Sequence, residues 1–138
     1  MNETKRRLIE SWLTKARNDL ASAQVLGTNP VPLLDTGIYH CQQAVRVAKA
    51  IKRFLVFADE HFPRTHDLET LINLAIPHEG SFAGWVDVAR ELTPYATLYR
   101  YPGPFANPDR HQFDQALLSA EQLYHFVLSL LPASTHPS

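Results

Sequence analysis

The chain has 138 residues, 45% of them apolar and 20% charged, with 13 basic against 14 acidic side chains and a single cysteine, Cys41. That is enough chain for one ordinary core, and the composition excludes global disorder. The near-zero net charge excludes a polyanion binder acting through its overall field, and one cysteine excludes a disulfide framework or a thiolate metal site.

The N-terminal MNETKRRLIESW lacks the apolar stretch of a signal peptide. No run approaches the ~18 apolar residues of a membrane span. A cytoplasmic protein without membrane association is the expectation. From about Glu3 to Leu26, Leu8, Ile9, Trp12, Leu13, Ala16, Leu20 and Ala23 recur at steps of three and four, which predicts an amphipathic first helix. GTNPVP (Gly27 to Pro32) ends it, with Gly27 as the expected C-cap.

A second helix, the longest, is predicted from about Leu33 to Phe57, where Ile38, Cys41, Ala44, Val45, Ala48, Ile51 and Leu55 repeat. ADEHFPR breaks it. Thr65 is the expected N-cap of a third helix carrying Leu68, Leu71, Ile72 and Ala75. IPHEGS ends that helix, and Ser81 opens a fourth with Phe82, Trp85, Val86, Ala89 and Leu92 before Pro94. YPGPFANP (Tyr101 to Pro108) reads as a loop. Asn107, Pro108 and Asp109 then start a last helix through Phe113, Leu117, Ala120, Leu123, Tyr124, Val127 and Leu131. No segment alternates with period two. The expected fold is all-α, an antiparallel up-and-down bundle of four to five helices, forming a single domain over residues 1–131. Residues 132–138, PASTHPS, are expected to be a flexible tail.

Common catalytic signatures are absent: there is no glycine-rich phosphate loop, HExxH helix, nucleophile elbow or acidic calcium loop. His61 and His66 are separated across Pro63 and lack the three- or four-residue spacing of helical metal ligands. Neither a metal nor a cofactor is expected. The polar exception lies in YHCQQAVRVAKAIKR (Tyr39 to Arg53). There His40 falls in line with Ala44, Val47 and Ile51, and Gln43 sits at the edge of the same stripe. An unpaired buried polar group costs roughly 1–3 kcal/mol, so both must find interior partners, such as the Thr65–His66 turn, or face a groove between helices. An imidazole in such a groove can donate to phosphate or move a proton. Arg46, Lys49 and Arg53 share another face, with Lys52 beside them, which is either solvated surface or a phosphate-facing strip.

HCQQAVRVAKA, then THDLETL about twenty residues later, then RYP (Arg100 to Pro102), with Trp12, Ala16 and Asp19-Leu20 before them, resembles the HEPN domain family over nearly the whole chain. The resemblance implies a helical bundle that forms homodimers, binds nucleotides, and often works beside a nucleotidyltransferase partner. Other members are RNA-cleaving toxins or defence nucleases marked by an Arg followed by His after four to six residues. This chain departs from that mark, because ten residues separate Arg100 from the next histidine, His111. Arg46 and Val47 also stand where relatives carry a Glu-Lys pair. Carried over residue by residue, the candidate ligand-binding positions are His40, Gln43, Arg46, His66, Arg100 and Tyr101, with no residue assigned as catalytic. The expected function is a nucleotide- or RNA-binding accessory module, acting as a dimer and with a nucleotidyltransferase. Two alternatives stand beside it. One is a metal-independent, toxin-like endoribonuclease using Arg100 with His111 or His40. The other is an antitoxin-like interaction module with no ligand.

Overall fold

The computed structural model describes residues 2–45, 51–61, 64, 67–99 and 107–137. Among these there are six α-helices and no strand: α1 (Glu3–Thr28), α2 (Leu34–Val45), α3 (Ile51–Phe57), α4 (Leu68–Ala75), α5 (Val86–Leu92) and α6 (Arg110–Leu130). The expected all-α bundle is the observed one. Within the span of the predicted second helix lie α2 and α3, with residues 46–50 between them outside the described residues; the longest described helix is α1, with 26 residues, rather than the predicted second.

Helices α1, α4 and α6 open on residues whose side chains accept from first-turn amides. Asn2 opens α1, its side chain accepting from the Lys5 amide at 2.7 Å, and Ile9, Leu13, Ala16, Leu20 and Ala23 form the buried stripe. Asp109 opens α6 with a reciprocal capping box: its carboxylate accepts from Gln112 N, while the Gln112 side chain accepts from Asp109 N. The cap is therefore Asp109 rather than the expected Asn107. Asp67 likewise caps α4, accepting from Glu69 N; the expected cap, Thr65, lies outside the described residues. Ser81 opens no α-helix. It sits in a 3-10 turn, Gly80–Trp85, whose leading Glu79 side chain accepts from the Ser81 amide, and α5 begins only at Val86.

Gly27 does not end α1. The helix runs on to Thr28, and the Asn29 amide closes it on Val25 O. No glycine in the described chain has positive φ, so Gly27 serves no left-handed cap. Its role is close approach. Gly27 and Gly37, at the adjacent ends of α1 and α2, both lie against the Phe113 ring of α6, where a Cβ on either would collide with it. Arg110 completes the join, donating to Gly27 O at 2.8 Å.

Long-range contacts set the directions. Asp19 meets His40, and Lys5 Nζ donates to Phe57 O at 2.9 Å, so α2 and α3 run back along α1. Phe113 meets Gly27, Gln24 donates to Glu121, and the buried Tyr124 hydroxyl donates to Leu13 O, so α6 also runs antiparallel to α1. The remaining short helices close the core through Leu68, Leu71, Ile72, Phe82, Ala89 and Leu92, and Phe82 packs on Phe54 and Phe126.

The residues after α6 turn back onto the bundle. Ala133–Thr135 form a 3-10 turn, Thr135 is fully buried, and His136 Nε2 lies 2.8 Å from Leu128 O and 3.0 Å from Leu131 O. Arg6 also donates to Ser134 O at 2.9 Å. The segment thus folds over the C-terminal end of α6, with the His136 imidazole beside the Leu128 and Leu131 carbonyls.

Candidate functional site

Around α2 the buried residues are Gly37, Ile38, Cys41, Gln42 and Ala44. His40 lies on the edge of that arc, half-buried, rather than in the core stripe where the spacing put it. Gln43 also stays half-buried, and its Nε2 donates to the Tyr39 hydroxyl on the outer flank. The polar residue that enters the core is Gln42. It is fully buried, and neither of its amide atoms has a hydrogen-bond partner among the described residues. At about 100° per residue, Gln42 and His40 stand roughly 200° apart around the helix, so the two face opposite flanks of α2.

His40 faces α1. Its Nδ1 lies 2.9 Å from Asp19 Oδ1, with the Asp19 side chain 14% exposed and the His40 side chain 29% exposed. Asp19 directly precedes the buried Leu20, which holds its carboxylate on the α2-facing flank of α1. A largely buried carboxylate requires a donor, and here the Nδ1–H group supplies it. That bond fixes the tautomer of the neutral ring and leaves the lone pair on Nε2. Nε2 has no hydrogen-bond partner among the described residues.

His40 lines one end of an open groove of about 600 Å³ between α1 and α2. Ala21, Val25 and Leu26 give it an apolar floor, while Asn18, Ser22 and Thr36 supply neutral polar groups at its sides. Among the described residues no Lys, Arg, Asp or Glu side chain lines it. Pockets of this size and mixed lining suit small organic ligands.

Of the six residues singled out in the sequence, the structure brings His40 to this groove and places Gln43 on the neighbouring outer flank beside Tyr39. Arg46, His66, Arg100 and Tyr101 lie outside the described residues. His111 is exposed on the first turn of α6 and does not line the groove. The expected partner turn for His40, Thr65–His66, also lies outside the described residues, and the partner observed is Asp19. Sequence reading did not single out Asp19 as the partner of His40, although it stands directly before the buried Leu20. It missed Gln42 because the two glutamines are adjacent and periodicity does not choose between them.

Burial raises four ionisable groups: Cys41, Glu91, Tyr95 and Tyr124. Burial pushes the Cys41 thiol up to about 12, with the Glu121 charge adding to the shift. Burial also raises Tyr95, and Glu91 is raised by desolvation against a compensating hydrogen bond from Ser119. Among the described residues no group of three His, Cys, Asp or Glu side chains is arranged to hold a metal ion, and no helix is long and apolar enough to cross a membrane.

A helical bundle in which an Asp-anchored histidine closes one end of a groove between two helices defines a class: small all-α domains with a polar-ended inter-helix cleft. The HEPN domain family model matches residues 9–130, and the chain belongs to that family. No curated protein and no solved structure matches it.

Proposed function

We propose that this HEPN domain is a nucleotide- or RNA-binding accessory module that acts as a homodimer and in company with a nucleotidyltransferase. The observation that carries the reading is the His40–Asp19 pair at the end of the α1–α2 groove: a histidine held by a carboxylate presents one defined nitrogen to whatever enters. Family membership supports the nucleotide class, and the lack of an Arg-x4-6-His motif favours binding over cutting.

The test is a thermal-denaturation panel of nucleotides and short single-stranded RNAs at saturating concentration. A ligand held at 100 times its Kd stabilises by about 2.7 kcal/mol, well within reach of such a measurement. A melting temperature unmoved by every ligand in the panel defeats the reading. Sedimentation of the purified chain reads the dimer, and co-purification with a nucleotidyltransferase encoded beside it reads the partner.

One observation favours a second reading. The Nε2 lone pair held by Asp19 is also the arrangement of a general base, suited to a ribose 2′-hydroxyl. A metal-independent endoribonuclease would then cut RNA in excess chelator and lose that activity in His40→Ala; RNA left intact at high protein concentration removes it.

A further inference from the structure

Resting on the nucleotide-binding reading, we infer that the α1–α2 groove selects ribonucleotides over 2′-deoxyribonucleotides, with His40 Nε2 accepting a hydrogen bond from the ribose 2′-hydroxyl. One hydrogen bond is the starting point. A carboxylate oxygen only accepts, so the nitrogen 2.9 Å from Asp19 Oδ1 carries the proton, whatever else that carboxylate meets. His40 Nδ1 is therefore the donor, and the neutral ring keeps its lone pair on Nε2. The side chain is 29% exposed and lines the groove. An acceptor held there calls for a ligand that brings an O–H or N–H donor.

The surroundings of His40 say which donor. Its bond to Asp19 fixes its level along α1, and Leu26 follows about 10 Å further on, at 1.5 Å per residue. The groove thus runs from a polar end at His40 and Asn18 to an apolar floor at Ala21, Val25 and Leu26, with room for a base and its sugar end to end. Val25 is 67% exposed, so the flat face of a base sheds water on it at little cost. Thr36 stands one helical turn before His40 on α2, and its hydroxyl and that of Ser22 offer donors and acceptors to the edge of the base. With the base on the floor, the group that reaches His40 is the sugar. Within an RNA strand the 3′ oxygen is esterified, which leaves the 2′-hydroxyl as the sugar's donor. A deoxyribose lacks it and leaves Nε2 unpaired, and a site built to bond a hydroxyl discriminates against such an analogue.

Calorimetric titration with adenosine, uridine, ATP and a short single-stranded RNA, each against its 2′-deoxy counterpart, tests this. The ribose forms are expected to bind about five- to tenfold more tightly, the value of one good hydrogen bond. In His40→Ala they should fall to the affinity of the deoxy forms, so that the preference disappears. Thr36→Trp fills the groove from an exposed position and should abolish binding of every ligand in the set. Circular dichroism checks that both variants keep their helices. Ring ¹⁵N shifts of His40 in alkaline buffer should report the Nδ1–H tautomer with no ligand present.

Equal affinity for the ribose and deoxyribose forms, or affinity that follows the base and not the sugar, overturns the inference and leaves the nucleotide-binding reading standing. A preference that survives in folded His40→Ala overturns it as well, as does native binding by folded Thr36→Trp or an Nε2–H tautomer. If no ligand of either sugar binds, both readings fall together.

Discussion

A methyl group on Gly37 would stand 2.6 Å from Cε2 of Phe113, and one on Gly27 would stand 2.7 Å from Cζ of the same ring. Two helices thus approach one phenyl group through backbone alone. Gly37→Ala is expected to destabilise the fold by about 1–3 kcal/mol, the usual cost of overpacking a tight core. In that background Phe113→Leu should cost less than it does alone, because the smaller side chain relieves the collision. A denaturant-unfolding cycle measures both. Strictly additive effects would show that glycine and ring do not meet.

Gln42 brings two unpartnered amide atoms into the core. Replacing it with methionine keeps the length and removes both orphan groups, so Gln42→Met should stabilise the protein by about 1–2 kcal/mol. A midpoint shift to lower urea concentration would mean that the amide is bonded in solution.

Cys41 is fully buried, and burial pushes its thiol up to about 12. Because the thiolate is the reactive form, the native protein at pH 8 should give no fast reaction with an aromatic disulfide reagent. Unfolding in guanidinium should release one thiol per chain at once. Rapid labelling of the folded protein would contradict the packing around α2.

Lys5 holds the end of α3 to the start of α1, donating to Phe57 O and, at 2.8 Å, to Asp59 Oδ1. The hydrogen bond from Lys5 is the main cause that lowers the Asp59 carboxyl below its ordinary 3.8. A folded value below the unfolded one means stability that is present above the unfolded value and lost as pH falls through the folded one. Asp59 also has φ of 59°, a left-handed conformation that asparagine tolerates as well as aspartate. Asp59→Asn should therefore be less stable than wild type at pH 6, and the two melting curves should converge as pH drops below 3.8. A gap unchanged down to pH 2 would assign the effect to backbone rather than charge.

Helix positions were legible because apolar spacing of three and four is a local property: Ile9, Leu13, Ala16, Leu20 and Ala23 are buried where their spacing puts them. Helix ends were less so. Asp67 and Asp109 take the caps expected of Thr65 and Asn107, since Ser, Thr, Asn and Asp are near-equal candidates and only the exit path of the chain selects one. Gly27 was read as a cap because glycine usually serves there, and its use against a ring 86 positions away on α6 leaves no local trace.

The candidate site divides in the same way. The sequence by itself determined an all-helical bundle, the family, and a polar interruption in α2, because periodicity and motif order are written along the chain. The tertiary structure alone decided which member of YHCQQ points inward. A modest rotation of α2 about its axis exchanges His40 for Gln42 in the core, and packing against α1 and α6 sets that rotation. It also decided that the partner of His40 is Asp19, 21 residues earlier on a neighbouring helix, because a contact between helices depends on how their faces meet and not on the spacing within either.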